Sequence, residues 1–346
     1  MPSLTISRAD HPPPEWAAFA RAHGSFYHDP AWLATLCDCF RYRPQWLAAL
    51  REGALEGVLP VARVPALIGR RRLVSLPFSY AAGPVARSPE AWQALGAEVR
   101  RLAREWGAAR VELKTVQAPY PPPEEYRRVA DRYAAYRVPP SGDPWSRLDK
   151  SSTQRGIRRG ERAGLTVEQG RTADDWLAMA RLQEVTARKH GVPPPPRRFF
   201  TVGCRALQAG GLAELWLARL PNGRPAAGAV IWIGPREWIY GFGASDPRTL
   251  DLRPNHVVLW AVLQRATGAG VIFDLGRAAP EQRGLVEFKL RWGGRPVPLT
   301  YDYWPDARGL NVAPRDRGPV ALAARAWSLL PTPVTRLGAG LYRYLG

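Results

Sequence analysis

The sequence predicts an α/β chain, in detail α+β, with two similar domains and a C-terminal helical tail. Each domain is expected to be a mixed, mostly antiparallel sheet flanked by helices. Three observations predict this: one order of elements occurs twice, a stretch rich in Pro, Gly and Ser separates the two copies, and 346 residues correspond to about two domains. The expected boundaries are residues 1–140 for the first domain, 141–305 for the second and 306–346 for the tail.

The first copy begins with apolar runs that are typical of strands and ends with an amphipathic helix and another strand. Its predicted elements are a helix over Pro30–Phe40, a hairpin over Gln45–Val64, a strand over Arg71–Phe78, a helix over Glu90–Trp106 and a strand over Arg110–Lys114. Gly107 ends the second helix.

The second copy repeats this order after two leading helices. Its predicted elements are helices over Ala173–His190 and Arg197–Gln208, a hairpin over Leu212–Ile233, a strand over Arg236–Ser245, a helix over Asn255–Thr267 and a strand over Val271–Gly276. The Pro-Asn-Gly turn fixes the hairpin. The repetition indicates one supersecondary unit used twice.

Charge is the strongest bulk signal. Lys and Arg number 49 against 30 acidic residues, a net charge of +19, and only four of the basic residues are Lys. Guanidinium groups bind phosphate and carboxylate in a bidentate manner. The surplus therefore favours a polyanionic partner such as nucleic acid, a nucleotide-linked substrate or an anionic membrane, although a general preference for Arg codons explains it equally well.

Several classes of protein are excluded or disfavoured. No apolar run is long enough to span a bilayer, and the N-terminus lacks the apolar core of a secretory signal, so a cytoplasmic protein is expected. Three cysteines, Cys37, Cys39 and Cys204, are too few for a disulfide framework. Five His without a close pair make a metal site unexpected.

The segment from Tyr240 to Leu299 carries most candidate site residues. The loop that enters the Asn255 helix exposes backbone N–H groups, and an anionic donor can dock there beside Arg248 and Arg253. The alternative is that Asn255 only caps the helix. We expect the residues beyond the Val271–Gly276 strand to line a ligand crevice.

Those residues are Asp274, Arg277, Glu287, Phe288 and Lys289. Lys289 is a lysine in a chain that otherwise chooses Arg, which indicates a need for a compact charge or a shiftable pKa. Asp274 is a candidate acceptor for a substrate amine, and the alternative is a structural loop cap.

A basic helix after Ser152 presents Arg155, Arg158, Arg159 and Arg162. Arg155, Arg158 and Arg162 are spaced i, i+3 and i+7 and therefore share one face. These charges repel one another unless an anion lies against them, so contact with phosphate is predicted, with a solvated basic face as the alternative.

The C-terminal tail alternates Arg with aromatic and aliphatic residues, among them Trp327, Leu329 and Leu337. A packed helix pair is one interpretation of this pattern. A peripheral contact with the inner face of a membrane is the other.

The motifs YHDPAWLATL, RRLVSLPFSYAAGP, STQRGIRRGERAGL, FDLGR and EFKLRWGGRPVPL occur in this order from about Phe26 to Tyr303. In this order they resemble the FemAB family and its BioF2-like acetyltransferase relatives. The resemblance implies two GNAT-like domains and transfer of an acyl or aminoacyl group to an amine. The best-known members of the family add amino acids from aminoacyl-tRNA to peptidoglycan precursors, and others are assigned to polysaccharide or cell-envelope synthesis.

The resemblance also assigns site residues. Phe288 and Lys289 match a Phe-Lys pair whose lysine contacts substrate phosphate, and Arg155, Arg158 and Arg159 match a basic motif at the domain junction. Tyr80 matches a loop that helps line the acceptor cleft.

The chain departs from its relatives in two places that concern the donor. Ala173–Gly211 is too short for the helical hairpin of many tRNA users, and LDLRPNHVV lacks the glycines of the usual coenzyme A loop. No tightly bound cofactor is expected, and the co-substrate stays open between acyl-CoA and aminoacyl-tRNA.

The predicted mechanism places Lys289, with backbone N–H groups near Asn255, beside the donor phosphate or the developing oxyanion. Asp274 or a water takes the proton of the amine, and Tyr240 hydrogen-bonds the acceptor. The expected acceptor is an anionic or nucleotide-linked molecule of the cell envelope or a polysaccharide. The alternatives are a non-catalytic double-GNAT module that binds a nucleotide- or lipid-linked glycan, and a protein that binds tRNA or other nucleic acid.

Overall fold

A computed structural model describes residues 3–65, 71–305 and 318–346. The chain separates into two compact units. The first comprises Met1–Ala134, Val297–Leu310 and Arg343–Gly346, and the second comprises Ala135–Pro296 and Asn311–Tyr342. These bounds differ from the predicted 1–140, 141–305 and 306–346, because the last long strand pairs within the first unit and most of the tail groups with the second.

The first unit is a sheet with helices against it. Its strands are β1 (Leu4–Ala9), β2 (Pro44–Arg51), β3 (Ala54–Val64), β4 (Arg72–Val74), β5 (Val85–Ala86), β6 (Arg110–Val116), β7 (Arg127–Val129) and β14 (Arg295–Trp304). Its helices are α1 (Trp16–His23), α2 (Pro30–Phe40) and α3 (Pro89–Glu105), with a 3₁₀ turn at Phe26–His28. The strand order is β1-β2-β3-β4-β6-β14, and β5 and β7 pair with β3 and β14.

The second unit contains the remaining strands, β8 (Ala134–Val138), β9 (Thr166–Gly170), β10 (Ala213–Arg219), β11 (Pro225–Ile233), β12 (Glu237–Ser245) and β13 (Ile272–Ala278). Its main helices are α4 (Arg155–Arg162), α5 (Ala173–Lys189), α6 (Arg205–Ala209), α7 (Pro254–Gly268) and α8 (Arg283–Arg291). Shorter turns are 3₁₀ at Trp145–Arg147 and Pro247–Leu252 and π-helical at Lys150–Gln154 and Phe199–Cys204. The strand order is β8-β13-β12-β11-β10-β9.

The predicted duplication is present in both sheets. In the first unit β2, β3 and β4 are successive antiparallel neighbours, and β6 then joins β4 in parallel after α3. In the second unit β10, β11 and β12 follow the same pattern, and β13 joins β12 in parallel after α7. The predicted mixed, mostly antiparallel architecture is confirmed.

The amphipathic helices form where their sequences provide caps and one apolar face. In α3 the Ser88 hydroxyl accepts from the N–H of Ala91, and Trp92, Leu95 and Val99 are fully buried against the sheet. In α5 the side chains of Thr172 and Asp175 form a reciprocal capping box. Both sheets are therefore covered by helices whose ends the sequence specifies locally.

Two irregularities in β12 shape the second unit. The register against β11 shifts so that Gly241 has no partner, which is a β-bulge. The parallel ladder with β13 ends at the Ile239–Asp274 pair although both strands continue. Beyond that pair the two strands separate, and their facing backbone groups are free for other partners.

The tail contains helices α9 (Gly318–Leu329) and α10 (Thr332–Leu337), followed by a 3₁₀ segment over Gly338–Leu345. Both helices contact α5. No helix among the described residues is both long and apolar enough to cross a membrane.

Candidate active site

Five guanidinium groups line one pocket of about 570 Å³ in the second unit. They belong to Arg155, Arg159, Arg162, Arg253 and Arg291. Glu287 is the one acidic residue of the lining, and its carboxylate pairs with Arg291. The other four arginines of the lining have no acidic partner within it. Their positive charges can therefore bind a phosphorylated ligand.

Close packing of α4 on α7 brings these arginines to the pocket. A Cβ atom at Gly156 would lie 2.5 Å from Cδ2 of His256, and one at Gly160 would lie 2.7 Å from Cγ1 of Val257. Only glycine allows the two helices to approach this far. The pocket-facing arginines of α4 are spaced i, i+4 and i+7, so they share one side of the helix.

The segment before α4 is tied to the end of α8. The backbone N–H of Asp149 donates to the carbonyl of Arg291 at 2.9 Å, and the hydroxyl of Thr153 donates to the same oxygen at 3.2 Å. The Asp149 carboxylate accepts from the N–H of Ser152. Hydrogen bonds from Ser152 and Ser151 lower the pKa of Asp149 to about 2. Asp149 is therefore the cap of this segment.

The start of α7 forms another wall of the pocket. Arg253 precedes the helix in the left-handed conformation, with φ of 59°, and no side chain caps the first turn. The positive end of the helix dipole adds to the charge of the guanidiniums. Burial and the nearby Arg253 lower the pKa of His256 to about 4, so its imidazole is neutral at physiological pH.

Aromatic rings back the pocket. Phe288 and His256 line it, and both rings lie beside the fully buried Trp292, at centroid distances of 6.2 and 5.9 Å. One side of the pocket is therefore rigid and largely apolar, opposite the basic helix.

Lys289 follows Phe288 on α8 and points to β13 instead of into the pocket. Its side chain is only 4% exposed. The ammonium donates to the carbonyl oxygens of Leu275 and Gly276, the latter at 2.8 Å, and lies 5.8 Å from the ring centroid of Tyr136. Burial lowers the pKa of Lys289 to about 8, while the charge of Asp274 opposes this shift.

The lysine lies where β12 and β13 separate. A Cβ atom at Gly276 would lie 3.5 Å from Nζ of Lys289 and 3.6 Å from the carbonyl oxygen of Tyr240 on β12. The ammonium therefore hydrogen-bonds carbonyls of β13 that lie beyond the end of the parallel ladder with β12. An ammonium has three N–H donors, and two of them are used among the described residues.

A buried charge cluster supports this region from β8. Asp274 is fully buried, and one of its oxygens accepts from the N–H of Gly276 at 2.7 Å. Arg137 bridges Asp274, at 3.1 Å, and Glu237. Burial raises the pKa of Glu237, and the charge of Arg137 opposes this effect.

Residues 149–290 match the family model described as an acetyltransferase (GNAT) domain. The second unit therefore contains a segment similar to GNAT acetyltransferase domains. The matched range contains α4, α7, the separated strands and Lys289, so the buried lysine and all of the pocket lining except Arg291 lie within it.

Solved structures agree with a tandem GNAT fold. FemX is 16% identical over 86% of this chain and 96% of its own, with a TM-score of 0.64. The C-terminal domain of a putative lysylphosphatidylglycerol synthetase from Agrobacterium fabrum is 16% identical over 85% of this chain and 89% of its own, with a TM-score of 0.51. A tandem GNAT protein from the clavulanic acid biosynthesis pathway is 13% identical over 87% of this chain and 98% of its own, with a TM-score of 0.51.

No curated protein matches the sequence. The family model and the structural neighbours confirm the predicted FemAB-like resemblance and the acyltransferase class.

The GNAT domain brings many of the predicted site residues together. Arg155, Arg159, Arg253 and Phe288 line the pocket. Arg158 does not line it, because its guanidinium stacks over Trp145 at 5.3 Å.

The basic face that borders the pocket therefore contains Arg155, Arg159 and Arg162, not the predicted set with Arg158. The i, i+4 spacing selects Arg159 because the glycines of α4 fix which side of the helix packs on α7.

The remaining predicted residues lie apart from the pocket lining. Asn255 does not cap α7, since its amide donates to the hydroxyl of Ser245 at 3.2 Å. Arg277 is exposed at the end of β13. Tyr80 is buried in the first unit, where its ring meets that of Tyr27 at 5.4 Å.

Tyr240 lies on β12 beside the bulge, and its ring runs over Gly243, where any Cβ atom would collide with the hydroxyl. Burial raises the pKa of Tyr240 to about 12, so the phenol stays protonated and can donate. Among the described residues its hydroxyl has no hydrogen-bond partner.

Sequence reasoning missed Arg137, Glu237, Asp149 and His256. The first two belong to strands far apart in the sequence, and no local motif joins them. For His256 the sequence offers only an indirect indication. The Gly156-x-x-x-Gly160 spacing indicates that α4 packs closely on another helix, but it does not show which residue of that helix lies in the contact.

Proposed function

We propose that this enzyme moves an acyl or aminoacyl group from a phosphate-bearing donor, acyl-CoA or aminoacyl-tRNA, to an amine of a cell-envelope or polysaccharide-related acceptor. The observation that carries the proposal is the guanidinium pocket. Among the described residues no carboxylate pairs with Arg155, Arg159 or Arg253, and all three side chains are exposed, so their charges are accessible to a ligand. Guanidiniums left without a protein partner favour a phosphorylated ligand.

Both donors satisfy this chemistry, since each carries its acyl group near phosphate. The loop into α7 has Arg253 and Pro254 where a glycine-rich loop would let phosphate approach the backbone. Side-chain guanidiniums would therefore hold the phosphate here, with the start of α7 as a secondary contribution. Both donors are made in the cytoplasm, so we expect the reaction to occur there. The expected acceptor is an anionic or nucleotide-linked molecule.

The reaction requires a group that stabilises the negative charge formed on the carbonyl oxygen. Attack by the neutral amine forms a C–N bond, and the carbonyl electrons move to oxygen before the C–S bond of a thioester or the C–O bond of an ester breaks. Lys289 would direct its third N–H donor to this oxyanion, in a water-poor site where the charge is most effective. The hydroxyl of Tyr240 would hydrogen-bond the acceptor.

A water would remove the proton from the amine. Asp274, the other candidate base, is fully buried, is held by Arg137 and accepts from the N–H of Gly276. Its charge is thus engaged inside the protein, and its role would be to hold β13 and its carbonyls in position for Lys289.

The test measures transfer of isotope-labelled acyl groups from acyl-CoA and from aminoacyl-tRNA. Arg159→Glu is expected to weaken donor binding at least about tenfold, since charge-assisted hydrogen bonds to phosphate are lost and repulsion replaces them. Arg158→Glu, on the same helix but outside the pocket, is the matched control and should keep most of the affinity.

Binding should also weaken with added salt, and the salt dependence should be smaller in the Arg159→Glu variant. Equal loss in both variants would mean that the net charge of α4 matters and the pocket does not. Transfer from neither donor would contradict the proposed substrate class.

A further inference from the structure

The helices α9 and α10 of the tail display an unusual amount of apolar surface. Of the ten strongly exposed large hydrophobic side chains among the described residues, five lie between residues 322 and 337. Leu329 and Leu337 are 84% and 85% exposed, and Leu322 is 67% exposed. Single exposed leucines are common on proteins, but a cluster in one short segment marks an interaction surface.

The tail exposes these side chains although it is packed against the rest of the second unit. Ala324 on α9 contacts Gly191 at the end of α5, and Thr335 on α10 is fully buried. Trp327 packs over Gly338. The two helices are therefore folded against the second unit through one side, and the leucines lie on the other side.

Charge in the same segment has one sign. From residue 318 to the last residue, the sequence contains three arginines and no Asp or Glu. Arg325 is three residues after Leu322 and four before Leu329, so all three share a face of α9. Arg336 is exposed beside Leu337.

We infer that α9 and α10 bind the surface of a bilayer that contains anionic lipid. Leucines would enter the boundary between headgroups and acyl chains, while Arg325 and Arg336 remain at the level of the lipid phosphates. A second copy of the chain fits less well, because the same arginines would meet each other across the twofold axis. The inference does not depend on the proposed acyl transfer.

The experiment is co-sedimentation of the full chain with vesicles of phosphatidylcholine alone and of phosphatidylcholine mixed with phosphatidylglycerol. Binding is expected only to the anionic vesicles and should decrease with salt. Arg325→Glu with Arg336→Glu should reduce binding at least about tenfold, since each basic residue near an anionic surface contributes about fivefold.

The apolar part is tested by Leu329→Glu with Leu337→Glu, which should likewise abolish sedimentation. Val202→Glu and Arg205→Glu are matched controls, because these residues are exposed in the same unit but outside the tail. Thermal unfolding checks that each variant is folded. If the double glutamate variant does not fold, Leu329→Ala with Leu337→Ala replaces it.

Three results would overturn the inference. One is equal binding of the tail variants and the wild-type chain, and another is the absence of any preference for anionic vesicles. The third is a wild-type dimer in light scattering that the leucine substitutions convert to a monomer, which would assign the face to a second copy.

Discussion

The ammonium of Lys289 donates a hydrogen bond of 2.8 Å to the carbonyl oxygen of Gly276, just past the point where β12 and β13 separate. Strands that separate leave backbone groups unpaired, and buried unpaired carbonyls destabilise a fold. Lys289 provides hydrogen bonds to carbonyls at this point. The same contacts hold its positive charge at the opening between the strands. The structural and the proposed catalytic role of the lysine thus arise from one geometry.

Replacement of Lys289 by Met should lower acyl transfer on the order of 100-fold, because removal of one preorganised donor to an oxyanion typically has that effect. The loss should appear in kcat more than in KM. Lys150→Met removes a lysine that is exposed at the start of the π-helical turn and serves as the control. A Lys289→Met enzyme with wild-type kcat would remove this residue from the mechanism.

The dependence of kcat on pH should reflect the titration of Lys289. Burial places the pKa of Lys289 at about 8, so the ammonium is present below this pH and is lost as the pH rises through it. We therefore expect kcat to fall above about pH 8, after any rise caused by deprotonation of the acceptor amine. The residual activity of Lys289→Met should lack the falling limb, and a limb that persists in this variant would belong to another group.

Much of the fold follows from local sequence patterns. The predicted helix over Pro30–Phe40 coincides with α2, and the Pro221-Asn222-Gly223 turn joins β10 to β11 as expected. Pro at the first turn, an Asp29 cap and apolar periodicity all act over a few residues, so one sequence suffices to locate such elements.

The pairing of strands that lie far apart in the sequence could not be predicted from local patterns. β14 is continuous with the second copy in sequence but pairs with β6, which lies almost 200 residues earlier, as the Leu299–Val116 register shows. The site shows the same limit: Lys289 could be singled out by its residue type, while its partners Leu275 and Gly276 depend on where two strands diverge. No periodicity encodes that divergence.

The contact between α4 and α7 should be sensitive to a single methyl group. Gly156→Ala places a Cβ atom 2.5 Å from the imidazole of His256, and such overpacking typically costs about 1–3 kcal/mol of unfolding free energy. Gly268→Ala, at the end of α7 where nothing lies within 4 Å, is the control and should stabilise by about 0.4–1 kcal/mol. Denaturant unfolding measures both.

The same substitution should affect the pocket. A displaced α4 carries Arg155 and Arg159 away from α7, so donor binding by Gly156→Ala should weaken while Gly268→Ala binds normally. Wild-type affinity in a destabilised Gly156→Ala variant would show that the helix contact serves stability alone.

Arg137 should be essential for stability at neutral pH and dispensable in acid. It holds the carboxylates of Asp274 and Glu237, both buried, and breaking a buried ion pair by removal of one partner typically costs about 3–5 kcal/mol. In Arg137→Met the two carboxylates lose their counter-charge. Burial already raises the pKa of Glu237, and without Arg137 its folded-state pKa rises further above the unfolded one.

A raised folded-state pKa means that the folded variant binds more protons than the unfolded chain, so its stability falls as the pH rises through that window. The difference in unfolding free energy between wild type and Arg137→Met should therefore be largest near pH 7 and shrink as the pH is lowered toward 5. Urea titrations across this range measure it. A difference that is constant with pH would show that Arg137 stabilises the unit through packing and not through its charge.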